Sequence, residues 1–311
     1  MWLPSALLVY AALGTAFGGS VLRWKDWDRH LPRLALLAWQ ASLISVTAAA
    51  AIGLLTMSHH GWESLLTSTL HADSRAVHTT YDLPHVPTGT VIAAAIGTLL
   101  TVRLLWALAV TAHTVRQRRQ RHRYLLQVLS HPAETHSPGV PLSVVDADQP
   151  TVYCLPGPRA RTVVTTAALH RLTPEQFAAA LAHEHAHLRF RHHWLLTWGT
   201  ALRAAFAPLP LFADFGAAAA RLVEMAADDE AGRQQGRTHT ASALLALSGP
   251  APAGSLPAGC ATIERIERLV EPPPVHRQTV VAVIASGAAA LLAFPPVIAL
   301  IPALALIGSA H

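Results

Sequence analysis

Four long runs of the chain carry almost no charge, and this constrains the fold more than any other feature. From Met1 to Leu22 no residue is charged, and Arg23 ends the run. A second run covers Leu34 to Trp62, and a third extends from Leu83 to about His113, broken only by Arg103. A fourth goes from Gln278 to His311. A helix crosses a hydrocarbon core of about 30 Å with roughly 20 residues, so each run is long enough. Their apolar residues do not keep to one helical face, which argues against buried amphipathic helices. Charged residues make up 13% of the chain, where soluble domains average about 25%. The mean hydropathy is +0.35. An apolar share of 52% excludes disorder. Cys154 and Cys260 are the only cysteines, which excludes a disulfide scaffold. The expected fold is mainly α, a multi-pass membrane protein with four transmembrane helices, at about 2–22, 34–57, 89–112 and 278–311.

Charge outside the runs orients them. The first run has no positive residue before it, as a cleaved signal peptide would. Arg23, Lys25, Arg29 and Arg33 follow it instead, so it reads as an anchor with its C-terminal end in the cytoplasm. The outer loop 58–88 has one arginine against Glu63, Asp73 and Asp82. Thr114 to Arg123 holds five arginines and marks the inner face again. The expected location is a bacterial cell membrane, with residues 114–277 cytoplasmic and both termini outside. Trp2, Trp24, Trp27 and Trp62 fall near span ends, where amphipathic rings prefer to sit. The cationic run is expected to set topology and to touch anionic lipid, so the pI of 9.9 needs no polyanionic partner and no direct nucleic-acid partner is expected. Arg103 either snorkels to the headgroups or faces a polar interior.

Region 114–277 reads as an α+β domain with a small sheet. Leu142–Val145, Thr151–Leu155 and Thr162–Thr166 are short strands, the last two β-branched. Ser130–Gln149 otherwise reads as loop. A helix then starts at Thr173, an N-cap followed by Pro174 and closed by Gln176 as a capping box. Within it stands His183-Glu184-His185-Ala186-His187. Residues i and i+4 share a helix face, so His183 and His187 can turn ring nitrogens to one zinc ion. Glu184 is placed to take a proton from a zinc-bound water, the chemistry of peptide hydrolysis. His185 projects elsewhere. Downstream, Glu224 and Asp228 are again i and i+4. Glu224 suits a third metal ligand, leaving a fourth position for water. Asp228 can hold the far nitrogen of a ligating histidine. Arg221, one turn earlier, can hold a carboxylate, while Asp229 and Glu230 face away.

His183-Glu184-x-x-His187 followed by Arg221-x-x-Glu224-x-x-Ala227-Asp228-x-x-x-Gly232 resembles the membrane-anchored gluzincin metallopeptidases. Two groups are similar: the HtpX-like and CAAX-prenyl proteases, and the BlaR/MecR-type antirepressor peptidases of bacteria. Three spans, a peptidase domain and a final span resemble the second more closely, as does the segment Ile263–Leu269. The resemblance implies one Zn2+ held by His183, His187 and Glu224, with Glu184 as catalytic base and Asp228 behind the ligands. It implies cleavage of a cytoplasmic repressor of helix-turn-helix type. The large penicillin-binding sensor domain of BlaR/MecR proteins is not expected, since the chain stops at His311. A housekeeping protease for membrane proteins is the alternative. A non-catalytic sensor with structural zinc is the alternative of another class.

Three features stay open at this level. Segment 193–212 is apolar apart from Arg203 and carries Trp194 and Trp198, so it either rests on the membrane or forms an ordinary core helix. The outer-loop histidines (His59, His60, His71, His78 and His85) lack tight ligand spacing. Tyr153 and His239 are candidates, by residue type alone, for stabilising an oxyanion.

Overall fold

A computed structural model describes residues 2–23, 27–57, 87–132, 140–248, 256–271 and 277–308. The outer loop and its histidines lie outside these residues. The chain is mainly helical. Helices α1 (Trp2–Leu22), α3 (Pro32–Met57), α4 (Pro87–Leu129) and α11 (Arg277–Gly308) are long, and α2 (Trp27–His30) is one short turn. All four long helices are apolar enough to cross a membrane. Helix α4 runs on without a break through the cationic stretch. Its 43 residues extend about 65 Å at about 1.5 Å each, roughly twice the hydrocarbon core. Its second half therefore projects beyond any bilayer that its first half spans.

That projection supports a four-stranded sheet of β1 (Ser130–Pro132), β2 (Leu142–Val145), β3 (Val152–Leu155) and β4 (Arg161–Thr165). The order is β1-β2-β4-β3, with β2 and β4 parallel and the other pairs antiparallel. Alternation sends Leu155 and Val163 to one face, against Leu126 of α4. His122 of α4 bonds the Tyr153 hydroxyl there at 2.8 Å. Val152 and Val164 go to the other face, where Ala180 and Phe177 cover them. Three of the strands fall where the β-branched residues predict. β1 lies in the stretch read as loop, because its three residues, Ser-His-Pro, carry no strand signal.

Five helices follow the sheet: α5 (Thr166–Arg171), α6 (Pro174–Arg189), α7 (His192–Phe206), α8 (Pro210–Gln235) and α9 (Arg237–Leu247), and then α10 (Leu256–Val270) precedes α11. α7 and α8 form a hairpin that packs on the long helices. Leu202, Leu211, Phe212 and Phe215 join Leu7, Trp39 and Val46 in one core. Leu211 lies against Gly18, one turn from the end of α1. Arg103 of α4 donates its Nε to the Ala205 carbonyl in the last turn of α7. It thus finds a polar partner on α7. Trp39 and Phe215 are fully buried and meet with ring centroids 6.1 Å apart. Their contact is the seam between α3 and α8. Phe215→Ala should cost about 3–5 kcal/mol, read as a lowered thermal midpoint of the detergent-solubilised chain; an unchanged midpoint would show that the seam carries no stability.

Candidate metal centre

Two helices build this site. On α6, the capping box is complete: Thr173 Oγ1 accepts from the Gln176 N–H (3.3 Å) and Gln176 Oε1 from the Thr173 N–H (3.0 Å). This start fixes the helical phase, and two turns later His183 and His187 face α8 together. Their Nε2 atoms are 3.1 Å apart. Glu224 on α8 closes the triangle, with Oε2 3.5 Å from His183 Nε2 and Oε1 3.5 Å from His187 Nε2. The three donors lie within 4.8 Å of one another and form a group able to hold a metal ion. A tetrahedral zinc ion with donors at about 2.0–2.1 Å sets neighbouring ligand atoms roughly 3.3 Å apart. The observed triangle fits that ion without rearrangement, and three protein ligands leave one position open.

Each histidine is held from behind. His183 Nδ1 donates to Asp228 Oδ1 at 3.0 Å, which leaves the Nε2 lone pair pointing at the centre. Asp228 is 1% exposed and accepts two parallel bonds from Arg265 on α10, at 2.7 and 2.8 Å. Arg265 Nη1 also reaches Glu224 Oε2 at 3.1 Å. His187 Nδ1 lies 3.1 Å from His192 Nδ1. The chain returns His192 to this place through Arg191, which holds a left-handed conformation with φ 52°. A non-glycine residue adopts it only when the surroundings enforce it.

Glu184 sits beside the triangle. Its Oε2 accepts the Cys154 N–H of edge strand β3 at 2.9 Å. A cavity of about 180 Å³ opens on these groups, walled by Ala179, Ala243, Leu244 and Leu247.

Charge and burial divide the titrating groups of the metal-free protein. Burial opposes the His183 cation, but its bonds to Asp228 and Glu224 outweigh this and push its pKa up to about 9. Burial, with the His183 charge, holds His187 down to about 4. Glu224 falls to about 2 against burial, through the His183 bond and the His183 and Arg265 charges. Asp228, also against burial, lies well below the usual carboxylate range because Arg265 and His183 donate to it. Glu184 goes the other way, since burial raises it.

The structure thus brings His183, Glu184, His187, Glu224 and Asp228 together. Arg221 is turned away, to Asp28 of α2 and to Glu264 at 3.2 Å. Asp229 pairs with Arg268. Glu230 pairs with Arg33 and Arg189, and His185 lines a separate hollow. Tyr153 is on the opposite sheet face from the site. His239 is exposed, its Nδ1 against the Gln235 carbonyl at 2.9 Å. Neither is placed for an oxyanion. The sequence reading did not identify Arg265, His192 or the Cys154 N–H. Arg265 had a readable signal: it and Arg268, three residues apart on one helix face, match the Asp228-Asp229 doublet.

Residues 115–257, which contain both motif helices, match the model of Peptidase family M48. The match supports a metallopeptidase and, with the four apolar helices, one of membrane type. No curated protein and no solved structure matches the chain significantly.

Asp228→Asn should weaken metal binding about 10–100-fold, measured by competition with a chromophoric chelator. Affinity should also fall with pH. His183, with its pKa at about 9, carries a proton at neutral pH that the metal must displace. His187, at about 4, carries none. Kd should therefore rise about tenfold for each unit of pH lost between about pH 8 and 5; a flat profile would contradict the one-proton exchange.

Proposed function

We propose that the chain is a membrane-anchored zinc endopeptidase that hydrolyses a peptide bond in a protein substrate. The observation that carries this reading is Glu184, set between a His-His-Glu triangle and an edge strand. A zinc ion held by His183, His187 and Glu224 supplies Lewis acidity, polarising the scissile carbonyl and acidifying water. Glu184 takes the proton from the attacking water and delivers it to the leaving amine nitrogen. Burial raises its pKa, which suits an acceptor that must take up a proton before passing it on. The edge strand β3 can align an extended substrate by main-chain hydrogen bonds. The apolar walls at Ala179, Ala243, Leu244 and Leu247 suit an apolar side chain beside the scissile bond. Asp228 and Arg265 are positioning residues, acting through His183 and Glu224.

The biological role we infer is signal-dependent cleavage of a cytoplasmic repressor of helix-turn-helix type. A cytoplasmic site is supported by the company it keeps. Arg23 and Arg33 pair with Asp214 and Glu230 of α8, and Arg123 donates to the Pro156 carbonyl beside the sheet. The basic segments thus share a side with the peptidase helices, and basic loops face the cytoplasm. A second reading, quality control of membrane proteins, is favoured by the hollow between α3 and α7. Leu36, Leu37, Phe190, Trp194 and Trp198 line it, and so does His192, which touches His187. It offers an apolar approach from the spans to the site. The α7–α8 hairpin, packed on the long helices, accords with both.

Glu184→Gln should retain metal and lower cleavage by a factor of about 10²–10⁴ or more. Comparative proteomics of the two strains separates the roles. A repressor fragment present only with the wild type supports the first, and membrane proteins accumulating in the variant support the second. Unchanged proteolysis in the variant would sink both.

A further inference from the structure

A second cavity, of about 460 Å³, lies apart from the metal triangle. It is enclosed by the first turn of α3, by α8 and α9, by the end of α10 and by the start of α11. Two of these helices are membrane-length, and their apolar windows open at Pro32 and Gln278. The cavity therefore sits level with the ends of two spans, on the side of the peptidase helices. Its walls join charge to apolar surface. Arg33, Arg233, Arg237 and Arg268 line it, and so do Leu31 and Val281.

The arginines outweigh the three carboxylates that face them, Asp229, Glu230 and Glu271. Glu230 is shared: it accepts from Arg33 at 2.8 Å, from Arg189 at 3.2 Å and from Arg233. Arg237 donates to the main-chain carbonyls of Leu269 (2.8 Å), Arg268 and Glu271 (2.9 Å). Arg268 is 4% exposed. Its Nη1 meets Asp229 and its Nη2 the Met225 carbonyl, both at 2.7 Å. Its Nε is buried and has no partner among the described residues. The N-terminal end of α3, with the positive pole of its dipole, opens onto the same space.

We propose that this cavity binds the phosphate headgroup of an anionic phospholipid. The excess of arginine, the α3 N-terminus and the buried, unpartnered Arg268 Nε call for an anion with several acceptor oxygens. The level of the cavity and its apolar lining favour a lipid over a soluble phosphate. The bilayer delivers the headgroup at the span ends, and Leu31 and Val281 meet the glycerol and first acyl carbons. The site stands apart from the metal triangle, so its test is independent of the proteolytic reading.

The test is native mass spectrometry of the full-length chain, delipidated in detergent. It is titrated with phosphatidylglycerol, with phosphatidylcholine of the same acyl chains, and with inorganic phosphate. One phosphatidylglycerol should bind about tenfold more tightly than phosphatidylcholine, and Arg33→Gln with Arg233→Gln should remove about that factor. Arg159→Gln with Arg171→Gln, exposed beside the sheet, should leave affinity within about twofold, because those charges lie outside the cavity. Equal binding of the two lipids overturns the proposal. So do equal losses in the two double variants, or inorganic phosphate binding as tightly as the lipid. If the first double variant does not fold, Leu34→Trp takes its place. It fills the cavity with charge intact and should weaken phosphatidylglycerol alone; unchanged affinity there also overturns the proposal.

Discussion

The Asp228 carboxylate is the point on which the centre closes. It is almost fully buried, and burying an uncompensated charge is expensive. The protein meets that cost with two partners, Arg265 in a two-bond fork and the His183 Nδ1–H. Neither is redundant. Without Arg265 the buried carboxylate would keep a single donor for its charge. Without His183 one lone pair would lose its donor. The same arrangement ties three helices, because Asp228 is on α8, His183 on α6 and Arg265 on α10. Arg265 also reaches Glu224, so the acid that can ligate and the acid that supports a ligand share one cation.

Helix α8 has a second task. Three ion pairs run along it to the stretch from the end of α1 to the first turn of α3: Asp214 with Arg23, Arg221 with Asp28, and Glu230 with Arg33. Exposed ion pairs add little to stability. Asp28 and Glu230, however, are nearly inaccessible, and breaking a buried pair leaves an unmatched charge. The middle and last pairs bracket Glu224 and Asp228 in sequence. Any displacement of the α1–α3 segment is therefore felt on both sides of the carboxylates that face the histidines.

Much of this was legible because local rules dominate where it was written. The capping box, the i, i+4 histidines and the i, i+4 carboxylates each specify a helix face from a few residues. Three short β-branched runs specify strands for the same reason. The unread parts depend on tertiary placement. β1 forms only because β2 offers it an edge. His192 reaches His187 through one left-handed residue, and no sequence pattern requires an arginine there. The sequence marks a span over about 89–112, and α4 continues unbroken beyond it to Leu129. A run of Arg and Gln sustains a helix as well as leucine does, so the helix continues until the sheet takes over. Arg265 sits on a helix whose acids and bases alternate, and only the partner surface on α8 shows which of them point inward.

The position of Glu184 follows from the same packing. Strand β3 is an edge, and an edge strand presents main-chain groups that must find water or a partner. Here the Cys154 N–H points out of the sheet at α6 and is met by Glu184. One acceptor thus serves a structural need, satisfying an edge donor, at a spot where an extended peptide would lie. Burial raises the affinity of Glu184 for a proton, and the bond from the Cys154 N–H opposes that rise. The edge that would align the substrate and the group that would activate water are in this way a single hydrogen bond apart.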